Sequence, residues 1–131
     1  MTGHIRILHV DDDPDFAEMA ATFLEREDDR FDIDIATSAD EGIIRLSNAD
    51  FDCVVSDYGM PGQSGIEFLE TVRENDPSLP FILYTGKGSE EIASDAISAG
   101  VTDYLHKQTG TGQYAVLANR IINAVTTYRT Q

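Results

Sequence analysis

The feature that most constrains this chain is a fivefold alternation of short apolar runs with longer segments of helical periodicity. The apolar runs cover residues 5–10, 31–35, 51–56, 81–84 and 101–105. Each run is short and bounded by turn or capping residues, which is typical of strands rather than helices. Strands that alternate with amphipathic helices predict an α/β fold, with a parallel sheet covered by helices on both faces and joined by right-handed crossovers.

Local capping signals mark where several of the predicted helices begin. Asp13 stands directly before a proline, an arrangement favoured at the N-terminus of a helix. Ser38 with Glu41, and Ser64 with Glu67, have the spacing of a capping box, in which each side chain accepts a hydrogen bond from the other residue's backbone. These signals predict helices after the first, second and third strands.

Polar side chains stand at the ends of four predicted strands. The first strand is followed by Asp11 and Asp12, the third by Asp57, the fourth by Thr85 and the fifth by His106 and then Lys107. In open parallel sheets, ligands bind beyond the carboxyl ends of the strands. We therefore expect the three acids, the hydroxyl and the amine to face one shallow pocket.

The chemistry of that pocket follows from its charges. Three clustered carboxylates repel one another unless a cation or a proton relieves them, and oxygen ligands suit Mg²⁺. A carboxylate beside a metal ion and an ammonium is a plausible nucleophile for a phosphoryl group. Taken singly, Asp11, Asp12, Thr85 and Lys107 each have a plainer interpretation as loop or surface residues, and Asp13 is interpreted only as a cap. Their joint occurrence at strand ends favours a site.

The residues at these positions fall into four ordered motifs. They are ILHVDDDP at 7–14, SDYGMPG at 56–62, FILYTG at 81–86 and GVTDYLHK at 100–107. Through these motifs the chain resembles, along nearly its whole length, the receiver domain of two-component response regulators, in particular chemotaxis-regulator-like receivers. The resemblance implies a flavodoxin-like (βα)5 fold whose five parallel strands have the order 2-1-3-4-5.

The resemblance also implies a role for each residue of the acidic pocket. Asp57 would accept a phosphoryl group from a histidine kinase or a phosphotransfer protein. Asp12, Asp57 and the backbone carbonyl of Gly59 would bind Mg²⁺ (or Mn²⁺), and Asp11 would act mainly through water. Such a domain is a signalling module rather than an enzyme, although it catalyses its own phosphotransfer and dephosphorylation.

Three further residues take roles from the resemblance. Thr85 and Lys107 would contact the phosphoryl oxygens, and Tyr104 would be an aromatic switch acting on the face formed by the fourth helix, fifth strand and fifth helix. Plain core packing is the alternative for Tyr104. One departure concerns the residue after the lysine, which is usually a proline with a cis bond in this family but is Gln108 here. The Lys107–Gln108 bond is therefore either trans or strained.

Composition limits the partners. The 131 residues suffice for one domain, which we assign to residues 1–131 with no output domain inside the chain. A net charge of -15 argues against direct nucleic-acid binding and favours a salt-loving, haloarchaeal source, with an acidic mesophilic protein as the alternative.

No apolar run is long enough for a membrane span. One cysteine, Cys53, fits a reducing compartment, and we expect a cytoplasmic protein. Partners would be a kinase and a downstream protein target or attached domains of a longer chain.

Two other function classes remain open from the sequence. An aspartate-dependent phosphatase would carry its nucleophile after the first strand and a second aspartate two residues later, usually followed by threonine or valine. Asp11, Asp13 and Pro14 match that pattern poorly, because a proline follows the second aspartate. A binding module would be either a flavin carrier, which three acids beside a phosphate disfavour, or a pseudo-receiver that works without phosphorylation. A pseudo-receiver would not need every one of the pocket residues.

Overall fold

The computed structural model describes residues 3–86 and 88–130, over which strands and helices alternate as the sequence predicts. The elements are β1 (Ile5–Val10), α1 (Pro14–Glu27), β2 (Phe31–Ala36), α2 (Ala39–Asn48), β3 (Cys53–Ser56), α3 (Gly65–Asn75), β4 (Phe81–Thr85), α4 (Glu90–Ser98), β5 (Asp103–His106) and α5 (Gly112–Arg129). The strands form one parallel sheet in the order β2-β1-β3-β4-β5. The expected fold class and strand order are confirmed.

The central strands are buried on both sides, so that neighbouring residues enter different cores. Ile7, Val55 and Ile82 pack with α1 and α5 on one face of the sheet. Leu8 and Val54 pack with α2, α3 and α4 on the other. This is the burial pattern expected of strands in a doubly wound parallel sheet. It also fixes the face on which each polar residue beyond a strand end emerges, because side chains alternate with a period of two.

The capping predictions hold with one correction. Asp13 accepts a hydrogen bond from the Phe16 backbone N–H, and Ser64 and Glu67 form the full reciprocal box. At α2, however, the Ser38 side chain caps the helix, whereas Glu41 Oε1 accepts from the Thr37 backbone N–H at 2.7 Å instead of from Ser38. The glutamate reaches one residue further back, so the predicted box is only half formed.

Four strands differ from the predicted ranges: β2 and β4 each end one residue later than predicted, at Ala36 and Thr85, and β3 and β5 each begin two residues later. The third strand begins at Cys53 rather than at 51, although Phe51 is buried, because Asp52 pairs with Arg6 outside the regular ladder. The fifth strand covers Asp103–His106 rather than 101–105. Val101 precedes it because its N–H is bonded to the carbonyl of Ala96 at the end of α4. Among the described residues, no helix is both long and apolar enough to cross a membrane.

Candidate functional site

The polar residues beyond the strand ends separate onto two faces of the sheet. Asp11 continues the β1 face that carries Ile7, and Asp57 continues the β3 face that carries Val55, both of which pack toward α1 and α5. Leu105 packs against the same core, which places Lys107 on that side as well. The two-residue period of a strand therefore brings Asp11, Asp57 and Lys107 together above α1.

Three carboxylates form the centre of this cluster. One ligand-type oxygen from each of Asp11, Asp12 and Asp57 lies within 4.8 Å of the other two. Asp11 is fully buried, and its Oδ1 accepts a hydrogen bond of 2.9 Å from the Asp13 backbone N–H. Burial raises the pKa of Asp11, and Lys107 opposes that rise without cancelling it. Asp12 is exposed and Asp57 is partly exposed, so these two present the carboxylates that a solvent-borne ligand can reach.

Lys107 is the cation of the cluster. Its Nζ lies 2.7 Å from Asp11 Oδ2 and 3.3 Å from Asp57 Oδ2, and it stands 4.2 Å from the centroid of the Phe16 ring. Burial by itself lowers the pKa of Lys107, but the hydrogen bond and charge of Asp11, together with the charge of Asp57, outweigh it and raise the pKa. The ammonium is therefore a fixed positive charge between two carboxylates.

The loop after β3 holds Asp57 through its backbone as well as its side chain. The Asp57 N–H donates to the Val10 carbonyl, and Oδ1 of its side chain accepts from the Tyr58 N–H at 2.7 Å. Gly65, the first residue of α3, donates its N–H to the Tyr58 carbonyl at 2.7 Å. A Cβ on Gly65 would lie 2.1 Å from the Asp57 carbonyl oxygen. Only glycine therefore allows α3 to begin this close to the loop.

Thr85 and Tyr104 lie on the opposite face of the sheet from Lys107. Thr85 is fully buried, and it follows the Leu83 face of β4, which packs toward α4. Tyr104 packs against the same core, and its hydroxyl is buried without a hydrogen-bond partner among the residues described. The Tyr104 ring meets the His106 ring edge-on at 5.6 Å, and His106 pairs with Thr85 across the two strands.

His9, a residue of β1, lies beneath the cluster and is buried. Its ring meets Phe16 edge-on at 6.4 Å, and neither ring nitrogen has a hydrogen-bond partner within the described part of the chain. Burial, helped by the positive charge of Lys107, lowers the pKa of His9 to about 4. The imidazole is therefore neutral near pH 7 and adds no charge to the site.

Several residues that matter to this site carry no clear signal in the sequence. Phe16, which supports the ammonium, looks like an ordinary member of an apolar helix stripe. Gly65 looks like a helix-start residue, and Gln113, whose side chain bonds the loop after Lys107, looks like any polar residue of α5. Gly59 lies half-buried in the loop after β3, and its metal-binding carbonyl stays a prediction. The Lys107–Gln108 bond is trans, because the described residues contain no cis peptide.

Comparison with known sequences points to one family. The model of the response regulator receiver domain matches residues 7–118. The transcriptional regulatory protein ResD of Bacillus subtilis is 36% identical over 106 residues, which are 81% of this chain and 43% of that protein. The response regulator SaeR of Staphylococcus aureus is 29% identical over 125 residues, covering 95% of this chain and 54% of that protein. This chain thus spans about half the length of these curated relatives.

Comparison with solved structures agrees with the sequence match. A CheY-like response regulator receiver domain protein from Methanospirillum hungatei superposes with a TM-score of 0.86 at 28% sequence identity. The superposition covers 97% of this chain and 98% of that one. A response regulator receiver domain protein from Clostridium thermocellum gives a TM-score of 0.85 at 26% identity, over 96% and 98% of the two chains. Both structures match this chain over almost its full length.

Proposed function

Because this chain belongs to the response regulator receiver domain family, we propose that Asp57 accepts a phosphoryl group in a two-component phosphorelay. The observation that carries the proposal is the position of Lys107, whose ammonium contacts both Asp11 and Asp57 at the edge of a cluster of three acids. The ammonium holds one oxygen of the Asp57 carboxylate in place, and the carboxylate is partly exposed, so that a phosphoryl donor can reach it. The ammonium also stands ready to neutralise charge on the incoming phosphoryl oxygens.

The transfer step breaks one bond and forms another. An Asp57 carboxylate oxygen attacks the phosphorus of a phosphohistidine, and the P–N bond breaks with its electron pair returning to the imidazole. The products are an acyl phosphate on Asp57 and a histidine that takes up a proton from water. Attack of water on the acyl phosphate at phosphorus releases inorganic phosphate and restores the carboxylate. Partly exposed Asp57 and the open loop around Gly59 favour a short-lived acyl phosphate.

The donor set suits Mg²⁺ (or Mn²⁺). Three carboxylates and one ammonium leave a net charge of about -2 in the cluster, which a divalent cation balances. Asp12, Asp57 and the carbonyl of Gly59 would hold the ion. Asp11 would act through water, because both of its oxygens already accept hydrogen bonds from Asp13 and Lys107. When bound, the ion supplies positive charge that stabilises the transferring phosphoryl group.

The output of phosphorylation would pass through Thr85 and Tyr104. A phosphoryl group on Asp57 offers acceptor oxygens to the Thr85 hydroxyl, and a shift of Thr85 changes the space beside the neighbouring strand. The buried Tyr104 hydroxyl lacks a partner among the described residues, and an unpaired buried hydroxyl costs about 1–3 kcal/mol. That cost raises the free energy of the buried position of the Tyr104 ring, so a second ring position, in which the hydroxyl finds a partner, lies closer in free energy. The α4–β5–α5 face would change with it and present the signal to a protein partner.

The partners follow from the same role. The donor would be a histidine kinase or a phosphotransfer protein, and the acceptor of the signal would be a protein target or attached domains of a longer chain. A cytoplasmic location is part of the proposal, and the one cysteine, Cys53, supports it as a buried free thiol.

Phosphorylation of the purified protein tests the proposal. We expect acetyl phosphate with Mg²⁺ to add one phosphoryl group, seen by intact mass and phosphate-affinity gel, and EDTA to prevent it. Asp57→Asn should remain unmodified, whereas Asp29→Asn, which removes the same charge from an exposed turn, should react like wild type. A wild-type protein that binds Mg²⁺ but accepts no phosphoryl group from acetyl phosphate or a kinase would be a pseudo-receiver. Sustained turnover of p-nitrophenyl phosphate would instead indicate a phosphatase.

A further inference from the structure

The peptide group after Lys107 carries a polar N–H, because the next residue is Gln108 rather than the proline that the resemblance to receiver domains leads us to expect. Gln108 supplies that N–H, and the Lys107–Gln108 bond is trans. Proline at this position would fix the local backbone and donate no hydrogen bond. With glutamine, the backbone is freer and an additional donor needs a partner. Some other group must therefore restrain the chain that carries the Lys107 ammonium.

The side chain of Gln113 provides this restraint. Its Oε1 accepts a hydrogen bond from the Gln108 N–H at 3.0 Å and another from the Tyr84 hydroxyl. Its Nε2 donates to the Gln108 carbonyl at 2.6 Å and to the Gly110 carbonyl at 2.9 Å. A primary amide has two N–H donors and an oxygen with two lone pairs, so every hydrogen-bonding position of Gln113 is used.

Gln113 links three elements through these bonds. It is the second residue of α5, a helix whose N-cap, Thr111, makes no side-chain capping bond. Tyr84 belongs to β4 and is almost completely buried, so its hydroxyl is a fixed point. The Gln113 amide thereby joins the start of α5 and the end of β4 to the loop between β5 and α5.

The restraint acts on the backbone on the C-terminal side of Lys107. On the N-terminal side, the Lys107 N–H donates to the Thr85 carbonyl at 2.9 Å. On the C-terminal side, both the N–H and the carbonyl of Gln108 bond to Gln113. The Lys107 side chain extends from this restrained stretch of backbone over the Phe16 ring, and its ammonium contacts Asp11 and Asp57.

We propose that Gln113 is the positioning residue for Lys107, and that its amide restrains the loop that follows the lysine. The inference rests on the proposed phosphoacceptor role of Asp57, because positioning Lys107 matters for reactivity only if a phosphoryl group is transferred there. The side-chain hydrogen bonds of Gln113 go to Tyr84, Gln108 and Gly110 and to none of the three carboxylates, so Gln113 acts on the site through the loop. Its loss frees the ammonium to move relative to Asp57 while the three acids stay in place.

Gln113→Leu tests the proposal, with Gln108→Leu as the matched control. Both variants replace the same amide by an apolar group of similar size, but the hydrogen bonds of Gln108 to Gln113 use backbone atoms and its own side chain is exposed. We expect Gln113→Leu to slow acetyl phosphate-dependent phosphorylation of Asp57 about ten- to a hundredfold, the scale on which misplaced groups affect rates. Gln108→Leu should react within about twofold of wild type, because surface changes away from such bonds have small effects.

A double mutant separates positioning from general damage to the fold. In a Lys107→Gln background, Gln113→Leu should cause no further slowing, because the group it positions is gone. Amide hydrogen exchange gives a readout independent of phosphorylation, and we expect exchange at position 108 to accelerate in Gln113→Leu but not in Gln108→Leu. If Gln113→Leu does not fold, Gln113→Asn keeps the amide but shortens its reach, and the same slowing and faster exchange are expected.

The outcomes test separately the positioning role of Gln113 and the phosphoacceptor role of Asp57. Wild-type phosphorylation rates in Gln113→Leu, or equal slowing with and without Lys107, would overturn the positioning role. Failure of wild-type protein to accept a phosphoryl group would refute the proposed function. In that case unchanged Gln108 exchange in Gln113→Leu would also refute the loop restraint, whereas accelerated exchange would support it.

Discussion

At the scale of single residues, Gly65 shows how tightly the loop after β3, which contains Asp57, is packed. A Cβ at this position would lie 2.1 Å from the Asp57 carbonyl oxygen and 2.9 Å from Leu83 Cδ1. The backbone atom cannot move away without displacing Asp57 itself. Gly112 offers a natural comparison, because it also occupies the first position of a helix but would place its Cβ within 4 Å of nothing.

We predict that Gly65→Ala destabilises the domain by about 1–3 kcal/mol, as overpacking generally does, and slows phosphorylation of Asp57. Gly112→Ala should leave stability unchanged or raise it by up to about 1 kcal/mol, because alanine is the better helix former. Urea unfolding followed by circular dichroism measures the first effect, and acetyl phosphate labelling measures the second. Equal stability and equal labelling of the two variants would show that the loop after β3 can move to accommodate the added methyl group.

At the scale of elements, Arg73 joins the end of α3 to the segments that precede β4 and β5. Its Nη1 donates to the carbonyls of Leu79 at 2.7 Å and Asp76 at 3.1 Å, and its Nε donates to the Gly100 carbonyl at 2.8 Å. Burial lowers the pKa of Arg73, but a guanidinium remains charged in proteins. One side chain thereby satisfies backbone carbonyls from two separate loops at the end of the sheet opposite Asp57.

Replacing Arg73 by methionine is expected to cost about 1–3 kcal/mol of unfolding free energy, because partly buried carbonyls lose charged donors. Arg120→Met is the matched control, since Arg120 makes an exposed ion pair with Asp103, and such pairs contribute about 1 kcal/mol or less. Chemical denaturation of both variants makes the comparison. If Arg73→Met lowers the free energy of unfolding no more than Arg120→Met does, the two loops hold their positions without the Arg73 hydrogen bonds.

At the scale of the whole molecule, the dominant property is the net charge of -15, from 24 acidic and 9 basic side chains. The ion pairs between described residues are mostly at the surface, where each contributes little. Most carboxylates therefore repel their neighbours without compensation. A salt-loving source remains a prediction from this excess of acids.

The charge predicts that potassium chloride stabilises the protein. Raising the salt from about 0.1 M to about 1 M shortens the screening length from about 10 Å to about 3 Å, which weakens repulsion between surface acids. The melting temperature should rise over that range by scanning calorimetry. A triple variant with Glu18, Glu27 and Glu74, all exposed, changed to glutamine should show a smaller rise. A melting temperature that stays flat or falls with salt would contradict the prediction.

The sequence alone determined the parts of this protein that depend on local pattern. Short apolar runs bounded by turn or capping residues predicted five strands, and Ser64 with Glu67 marked the start of α3, because these signals involve residues only a few positions apart. Since parallel strands end at one edge of a sheet, the polar residues at the ends of β1, β3, β4 and β5 could be expected to share one pocket, but Thr85 ends β4 on the face of the sheet opposite Lys107. Asp11, Asp12 and Asp57 indeed lie together, and Lys107 joins them.

Only the tertiary structure decided which distant residues support that pocket. The contact of Phe16 with Lys107, the approach of Gly65 to Asp57 and the bonds of Gln113 to Tyr84 and Gln108 depend on how helices pack on the sheet. The half-formed capping box of Glu41 and the shifted bounds of β3 and β5 likewise depend on which hydrogen-bond partners the packed structure brings within reach. A local pattern fixes which face a residue occupies, whereas the identity of its neighbour across that face is set by helix position and side-chain reach.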